Sequence, residues 1–383
     1  TSNNERNEPM KRIAGVFFIS CLSAAAVPAA ATEITASIWF PENYPLAKDG
    51  YAALADTLEE KSGGDLTMKV FTGDSVLPAG AHLSGLRDGI VDMTYHAGTY
   101  TPSELPADNV LAALGISYND STVLTAAVAD FYLNDAQMQE MFDRQGIVFL
   151  GSYASPSYVL MCNTPVVSLA DIAGKKIRMP SPVHAAWAAS VDAAAVNVPS
   201  SEMFSGLEKG QLDCAANSPN DLKTRSLWDV AKEVTLLDLG QYFAGWQYAM
   251  NKPAWNSLST AERQLLVDSI SDNLVDMTHA FEQSVDDALA ESKDHGVTLH
   301  EPDDGLQNEL SKFIETDVKP MALDVGERLN VKDPGSLIDR FEKTHDKWQK
   351  LLANVDRDDT DTLKKIFHDQ IFGKIDVSTY ASN

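Results

Sequence analysis

Arg178 lies between Ile177 and Met179 in a short apolar segment closed by Pro180. A guanidinium in such a place is costly to bury unless an anion meets it. Its parallel N–H donors match a carboxylate in a way that a lysine does not. Proline does not continue a central strand, so Arg178 belongs at a strand's C-terminal end, the edge where open α/β sheets hold ligands. The alternative is a salt bridge to one of the chain's many acids. Asn217 closes the apolar segment 211–216 and can donate or accept toward the same ligand. Its alternative is a turn before Ser218-Pro219. Ser181 and Ser200 stand at loop ends beside the arginine.

These residues need a frame. Residues 174–217 read as strand, helix, helix, strand: an Ala-rich helix over 183–195, then a second one capped by Ser200-Ser201-Glu202 and stopped by Gly210. That is half of a cleft. The N-terminal part supplies the other half, with strands over 33–40, 65–72 and 90–95 and helices over 48–61 and 79–88. Its strand ends carry Trp39-Phe40 and His96-Ala97, and the aromatics there are either cleft or core. Gly85-Leu86-Arg87-Asp88-Gly89-Ile90-Val91-Asp92 and Gly206-Leu207-Glu208-Lys209-Gly210-Gln211-Leu212-Asp213 share one pattern. It places a helix end, a glycine cap and a strand start at corresponding points of two lobes.

Helix over 122–144 and strand over 146–153 complete the first lobe, and 158–163 begins the second after the crossover Ser155-Pro156-Ser157. Residues 242–251 cross back, with Gln241 and Trp246 at strand ends facing the cleft. Two crossings make discontinuous domains and a hinge: 32–155 with 244–283 as lobe I, and 156–243 with 284–383 as lobe II. A capping box at Ser259-Thr260-Ala261-Glu262 opens a helix that runs to about 295. At 1.5 Å per residue it is about 54 Å long, more than one lobe. Helices over 307–329, 337–352 and 360–372 follow, as extra packing or as a dimerising arm.

The 383 residues carry a net charge of −25, a field that repels nucleic acid. Met10-Lys11-Arg12, the apolar run 13–22 and small residues over 24–31 read as a signal peptide cleaved after Ala31. Cys21 sits in a poor imitation of a lipoprotein box. Past residue 31 no run is long enough to span a membrane, so the mature chain is exported and not membrane-embedded. Cys162 and Cys214 read as buried free thiols, with a disulfide as the alternative in an oxidising compartment. No zinc-type histidine spacing, phosphate loop, dinucleotide fingerprint or nucleophile elbow is present, and no cofactor is called for.

The run Gly174-Lys175-Lys176-Ile177-Arg178-Met179-Pro180 is followed by Ser201-Glu202-Met203-Phe204, the motif 206–213 and Asn217. Together these resemble the extracytoplasmic solute receptors of TRAP transporters, the DctP type. The resemblance implies an α/β, two-lobe periplasmic binding protein with crossover strands as hinge and a long helix spanning both lobes. It implies that Arg178 binds an organic-acid carboxylate with Asn217 beside it, and that the partners are TRAP membrane subunits. It places His96 and Ala97 at contact positions. Many relatives, sialic acid receptors above all, carry a second arginine where this chain has Tyr158, which implies one charged group with a hydroxyl or aromatic neighbour. An exported enzyme acting on a small acid, or a receptor for a sulfonate or zwitterion, are the alternatives. The chain is a monomer, or a dimer through its C-terminal extension.

Overall fold

The computed structural model describes residues 1–3, 5 and 31–381. The expected signal-peptide features at 10–12, 13–22 and 24–30, and the reading of Cys21, lie outside the described residues. Among the described residues no helix is long and apolar enough to cross a membrane.

Two sheets organise the chain. The first has the strand order β2-β1-β3-β10-β4, from β1 (Thr32–Ile38), β2 (Leu66–Thr72), β3 (Met93–Ala97), β4 (Ile147–Gly151) and β10 (Gly245–Asn251). The second has the order β11-β9-β5-β8-β6-β7. Its strands are β5 (Val159–Cys162), β6 (Lys176–Arg178), β7 (Ala194–Val196), β8 (Cys214–Asn217), β9 (Glu233–Thr235) and β11 (Thr298–His300). β1, β2 and β3 run parallel and β10 antiparallel to β3 and β4. In the second sheet β5 runs antiparallel to both β8 and β9. The chain passes between sheets after β4 and again before β10. The two passages hold each other: Ser155 N donates to Tyr242 O at 2.8 Å, and Tyr158 N to Gly240 O at 2.8 Å.

The octapeptide pattern is one piece of structure built twice. Gly89 and Gly210 turn the chain at φ 69° and 66°, where a side chain is strained. Ile90 N then donates to Gly85 O, and Gln211 N to Gly206 O, each at 2.9 Å. Each closing aspartate pins its strand to the neighbouring one. Asp92 Oδ2 accepts from Thr35 N, and Asp213 Oδ2 from Lys176 N, both at 2.8 Å. Both aspartates are therefore structural, and the two strands β3 and β8 that they launch carry cleft residues.

The capping box forms at Ser259 and Glu262, and the helix Thr260–Glu291 runs from the first sheet's side to the second's, where Gly296 turns the chain into β11. The helices expected over 122–144 and 307–329 are each two, broken at Asp135 and Asp317, and two further expectations change. The helix over 183–195 stops at Ser190, because Asp192 turns at φ 58° and Ala194–Val196 pairs with β6 as a strand. Cys162 and Cys214 are opposite partners in the antiparallel pair β5–β8, and they form a disulfide rather than free thiols. Of residues 284–383, assigned above to the second lobe, the strand β11 joins the second sheet.

The helices Val318–Arg328, Pro334–Leu351 and Thr360–Gln370 pack mainly on Pro106–Ala112, on Ser121–Asn134 and on the long helix. Their apolar faces supply Leu337, Phe341, Trp348 and Phe367 to a core that also holds Phe131 and Phe243. Arg340, Lys347 and Arg357 then pair with Asp135 (2.7 Å), Asp130 (2.7 Å) and Asp120 (2.8 Å), which cap or lie on the helix Ser121–Asn134 or cap the next.

Candidate ligand-binding site

Arg178 ends β6 as expected and is buried. Its Nε donates to Val198 O at 3.2 Å and one Nη to Ala216 O at 3.0 Å, so backbone carbonyls fix the plane of the guanidinium. No carboxylate among the described residues pairs with it within 4.0 Å, which disposes of the salt-bridge alternative. Asn217 lies at the end of β8, one residue beyond the carbonyl that Arg178 grips. Both line a narrow slot between the two sheets.

The walls are largely aromatic. Trp39 and Phe40 continue from β1 into the cavity wall, with Trp39 lying 4.5 Å from the Tyr95 ring and Phe40 stacked on Tyr44 at 4.1 Å. Tyr158 comes from the start of the second lobe, Ser200 from the turn before the helix Met203–Glu208, and Ala97 from β3. Tyr153, Ser155 and Tyr242 enter from the two passages, and Phe281 from the long helix. Tyr95 and Tyr153 share a short hydroxyl–hydroxyl bond. Burial pushes their phenols, and that of Tyr158, well up, so the lining tyrosines present neutral hydroxyls.

Four expected residues are not at this cavity. Side chains alternate along a strand, so Tyr95 and Ala97 face the cavity while His96 faces the other way. There it meets its cross-strand partner Trp246 at 5.0 Å and Thr101 Oγ1 at 2.7 Å. Burial lowers its pKa to about 3, so it is a neutral core imidazole. Trp246 is core with it, its Nε1 donating to Thr94. Gln241 is buried in the passage between lobes, anchored by its backbone N to Gly115 O at 2.8 Å. Ser181 caps the helix Pro182–Ser190, bonded to His184 Nδ1 at 2.7 Å, and faces a neighbouring groove with Thr99 and Pro180.

Sequence reasoning missed an ion pair behind the wall. Asp221 is fully buried, accepts from Asn217 Nδ2 at 2.5 Å and lies 3.3 Å from Arg225 Nε. Burial raises the Asp221 pKa, and the nearby Arg225 and Arg178 guanidiniums oppose the shift without cancelling it. Arg225 lies over the Phe40 and Tyr44 rings at 5.0 and 5.2 Å and donates to Ser200 Oγ at 3.3 Å. Spacing of four on a short helix was the only signal, and it reads equally well as a solvated surface pair. Tyr100 OH accepts from Ser200 N at 3.2 Å, a further tie between the lobes.

Cation, aromatic slot and two sheets joined by crossing strands agree with what a sequence profile finds. The profile of bacterial extracellular solute-binding proteins, family 7 (DctP), matches residues 35–323.

The chain belongs to this family.

A solute-binding protein of Albidiferax ferrireducens is 25% identical over 56% of this chain and 62% of its own length. The C4-dicarboxylate-binding periplasmic protein DctP of Shewanella loihica is 26% identical over 77% of this chain and 88% of its own. The chain thus spans about three fifths of the first relative and most of the second. Among solved structures, a marine metagenome TRAP solute-binding protein specific for aromatic acid ligands, co-crystallised with 3-hydroxybenzoate, superposes with a TM-score of 0.75. It is 16% identical and covers 84% of this chain and 99% of its own. The DctP-family chain thus has the fold of two-lobe receptors, which bind solutes rather than transform them.

Proposed function

We propose that this chain is the periplasmic receptor of a TRAP transporter, that it captures a small carboxylic acid with a single negative charge and a flat apolar body, and that it delivers the acid to membrane subunits encoded elsewhere. One observation carries this reading. Among the described residues lining the cavity Arg178 is the one cation, and its guanidinium is oriented by carbonyls rather than neutralised by a carboxylate. The second arginine nearby, Arg225, is already matched by Asp221. The site therefore has one positive charge to offer, which suits a monoanion better than the dicarboxylate named for the Shewanella relative. The aromatic acid bound by the marine receptor fits a slot walled by Trp39, Phe40 and tyrosines. Tyr158, Ser200 and Asn217 supply its polar contacts.

A thermal-shift panel of monocarboxylates, dicarboxylates and sulfonates, followed by calorimetry, tests this. A monocarboxylate is expected to raise the melting temperature most and to be recovered unchanged after denaturation. Stabilisation by dicarboxylates alone, or by no acid at all, would refute it. Recovery of a product in place of the ligand would make the chain an enzyme.

A further inference from the structure

We infer that the ligand carries a neutral hydrogen-bond donor, a hydroxyl, on the carbon next to its carboxylate, and that Asn217 Oδ1 is the acceptor that reads it. The inference rests on the carboxylate reading above and narrows it to the class of 2-hydroxy acids.

An asparagine amide can face a ligand with either end, and here its neighbours decide which. Asn217 Nδ2 lies 2.5 Å from Asp221 Oδ2 and 3.7 Å from Met203 Sδ, both acceptors. An ionised carboxylate only accepts, so the reverse orientation would press two acceptors together at 2.5 Å. Asp221 is held in that state from its other side, where Oδ1 meets Arg225 Nε at 3.3 Å and accepts from Thr224 Oγ1 at 3.3 Å. The amide nitrogen is thus spent inward. What remains is Oδ1, buried and, among the described residues, without a partner, on a residue that lines the cavity.

Its position relative to the arginine follows from the sheet. Arg178 Nη1 donates to Ala216 O, the carbonyl of the residue before Asn217. Arg178 and Asn217 are thus neighbours at one sheet edge, and we place the second carbon of an acid clamped by the arginine beside the amide. A hydrogen there leaves a buried carbonyl oxygen unpaired, and a keto oxygen opposes it acceptor to acceptor. A hydroxyl donates to it. An ammonium would need an anion in contact, and the Asp221 carboxylate is screened from the cavity by Asn217 and engaged by Arg225. Arg225 acts here as a positioning residue, through Asp221, without touching the ligand.

The test is calorimetric titration of the purified protein with matched acids bearing hydrogen, hydroxyl or oxo at the second carbon. One set is propionate, lactate and pyruvate, another phenylacetate, mandelate and phenylglyoxylate, and a third is built on the acid that the thermal-shift panel selects. Within a set that binds, one enantiomer of the hydroxy acid is expected to bind at least about tenfold tighter than its two analogues. Asn217→Leu is expected to bring the three within about threefold, and Asp221→Asn, which frees the amide to turn, to favour the oxo acid relative to the parent protein. Should either variant fail to fold, the parent's discrimination decides alone. Equal or tighter binding of the oxo or unsubstituted acid overturns the inference and leaves the carboxylate reading standing. Binding of no monocarboxylate in any set overturns both.

Discussion

Arg225, in the second lobe, holds its guanidinium carbon 5.0 Å from the ring centroid of Phe40 in the first. The same group spans Tyr44 and reaches Ser200, so it ties the two sides of the slot together from behind. A planar guanidinium stacks on a ring in a way an ammonium does not, and a partly desolvated contact of this kind contributes about 1 kcal/mol. Arg225→Lys is therefore expected to weaken binding of whichever acid is found by about fivefold, through a less stable closed form. Small-angle scattering should show a smaller radius of gyration on ligand addition for the parent protein, and a weaker response for the variant at equal ligand concentration. Unchanged affinity and an unchanged response would remove the latch.

Arg178→Lys separates charge from geometry. Lysine keeps the positive charge and loses the fork of donors that meets a carboxylate and the two backbone carbonyls. Loss of at least about tenfold in affinity is expected, with the melting temperature of the empty protein little changed. Equal affinity in calorimetry would make the arginine structural.

The disulfide between Cys162 and Cys214 closes a loop with a sequence separation of 52. A crosslink over such a length stabilises by about 2–4 kcal/mol, mostly by restricting the unfolded chain. The double variant Cys162→Ala, Cys214→Ala should lose that amount in urea unfolding under oxidising conditions, and added reductant should then have no further effect. A variant as stable as the parent would show that strand pairing alone holds β5 to β8.

Acid should destabilise the protein. Burial lowers His82 and His184 to about 4 and His96 to about 3, against 6.5 in the unfolded chain. Their contribution is full above pH 6.5 and is lost as pH falls below it, because the unfolded state then binds protons that the folded state refuses. Each group contributes up to about 1.4 kcal/mol per pH unit. Asp108, raised to about 6 by burial, acts in the opposite sense, since its contribution is full at low pH and fades as pH rises through 6. Asp221 and Glu282, also raised by burial, act in the same sense as Asp108, and the three histidines set the sign of the change. Urea unfolding at pH 7.5 and 5.0 should show the loss, and His184→Gln should reduce it; greater stability at pH 5.0 would contradict the assignment.

How far the sequence carried the reading depends on where each signal was stored. Arg178 was legible because its cost is local: a cation in an apolar strand, stopped by proline, points to an anion. The duplicated turn at Gly89 and Gly210 was legible because glycine and aspartate mark it in the chain itself. Tyr44, Tyr95, Tyr100, Tyr153 and Tyr242 were not, because each is a common core residue on its own and their convergence is set by two sheets and two crossings. His96 and Ala97 were both expected at the slot, though period-two alternation admits only one of two neighbours on a strand. Asp221 and Arg225 escaped because burial, which a spacing of four does not reveal, is what makes that pair matter.

The C-terminal helices pack on elements of the first lobe, and this fixes the order in which the lobe can be finished. β1 is made long before β10, yet its sheet waits for that strand, and the core beneath waits for Trp348, Phe367 and Phe372. Tyr380 comes later still, its hydroxyl donating to Phe149 O at 2.7 Å and its carbonyl accepting from Trp255 Nε1 at 3.0 Å. The lobe that starts at Thr32 therefore holds its full interior only once the segment through Tyr380 has left the ribosome.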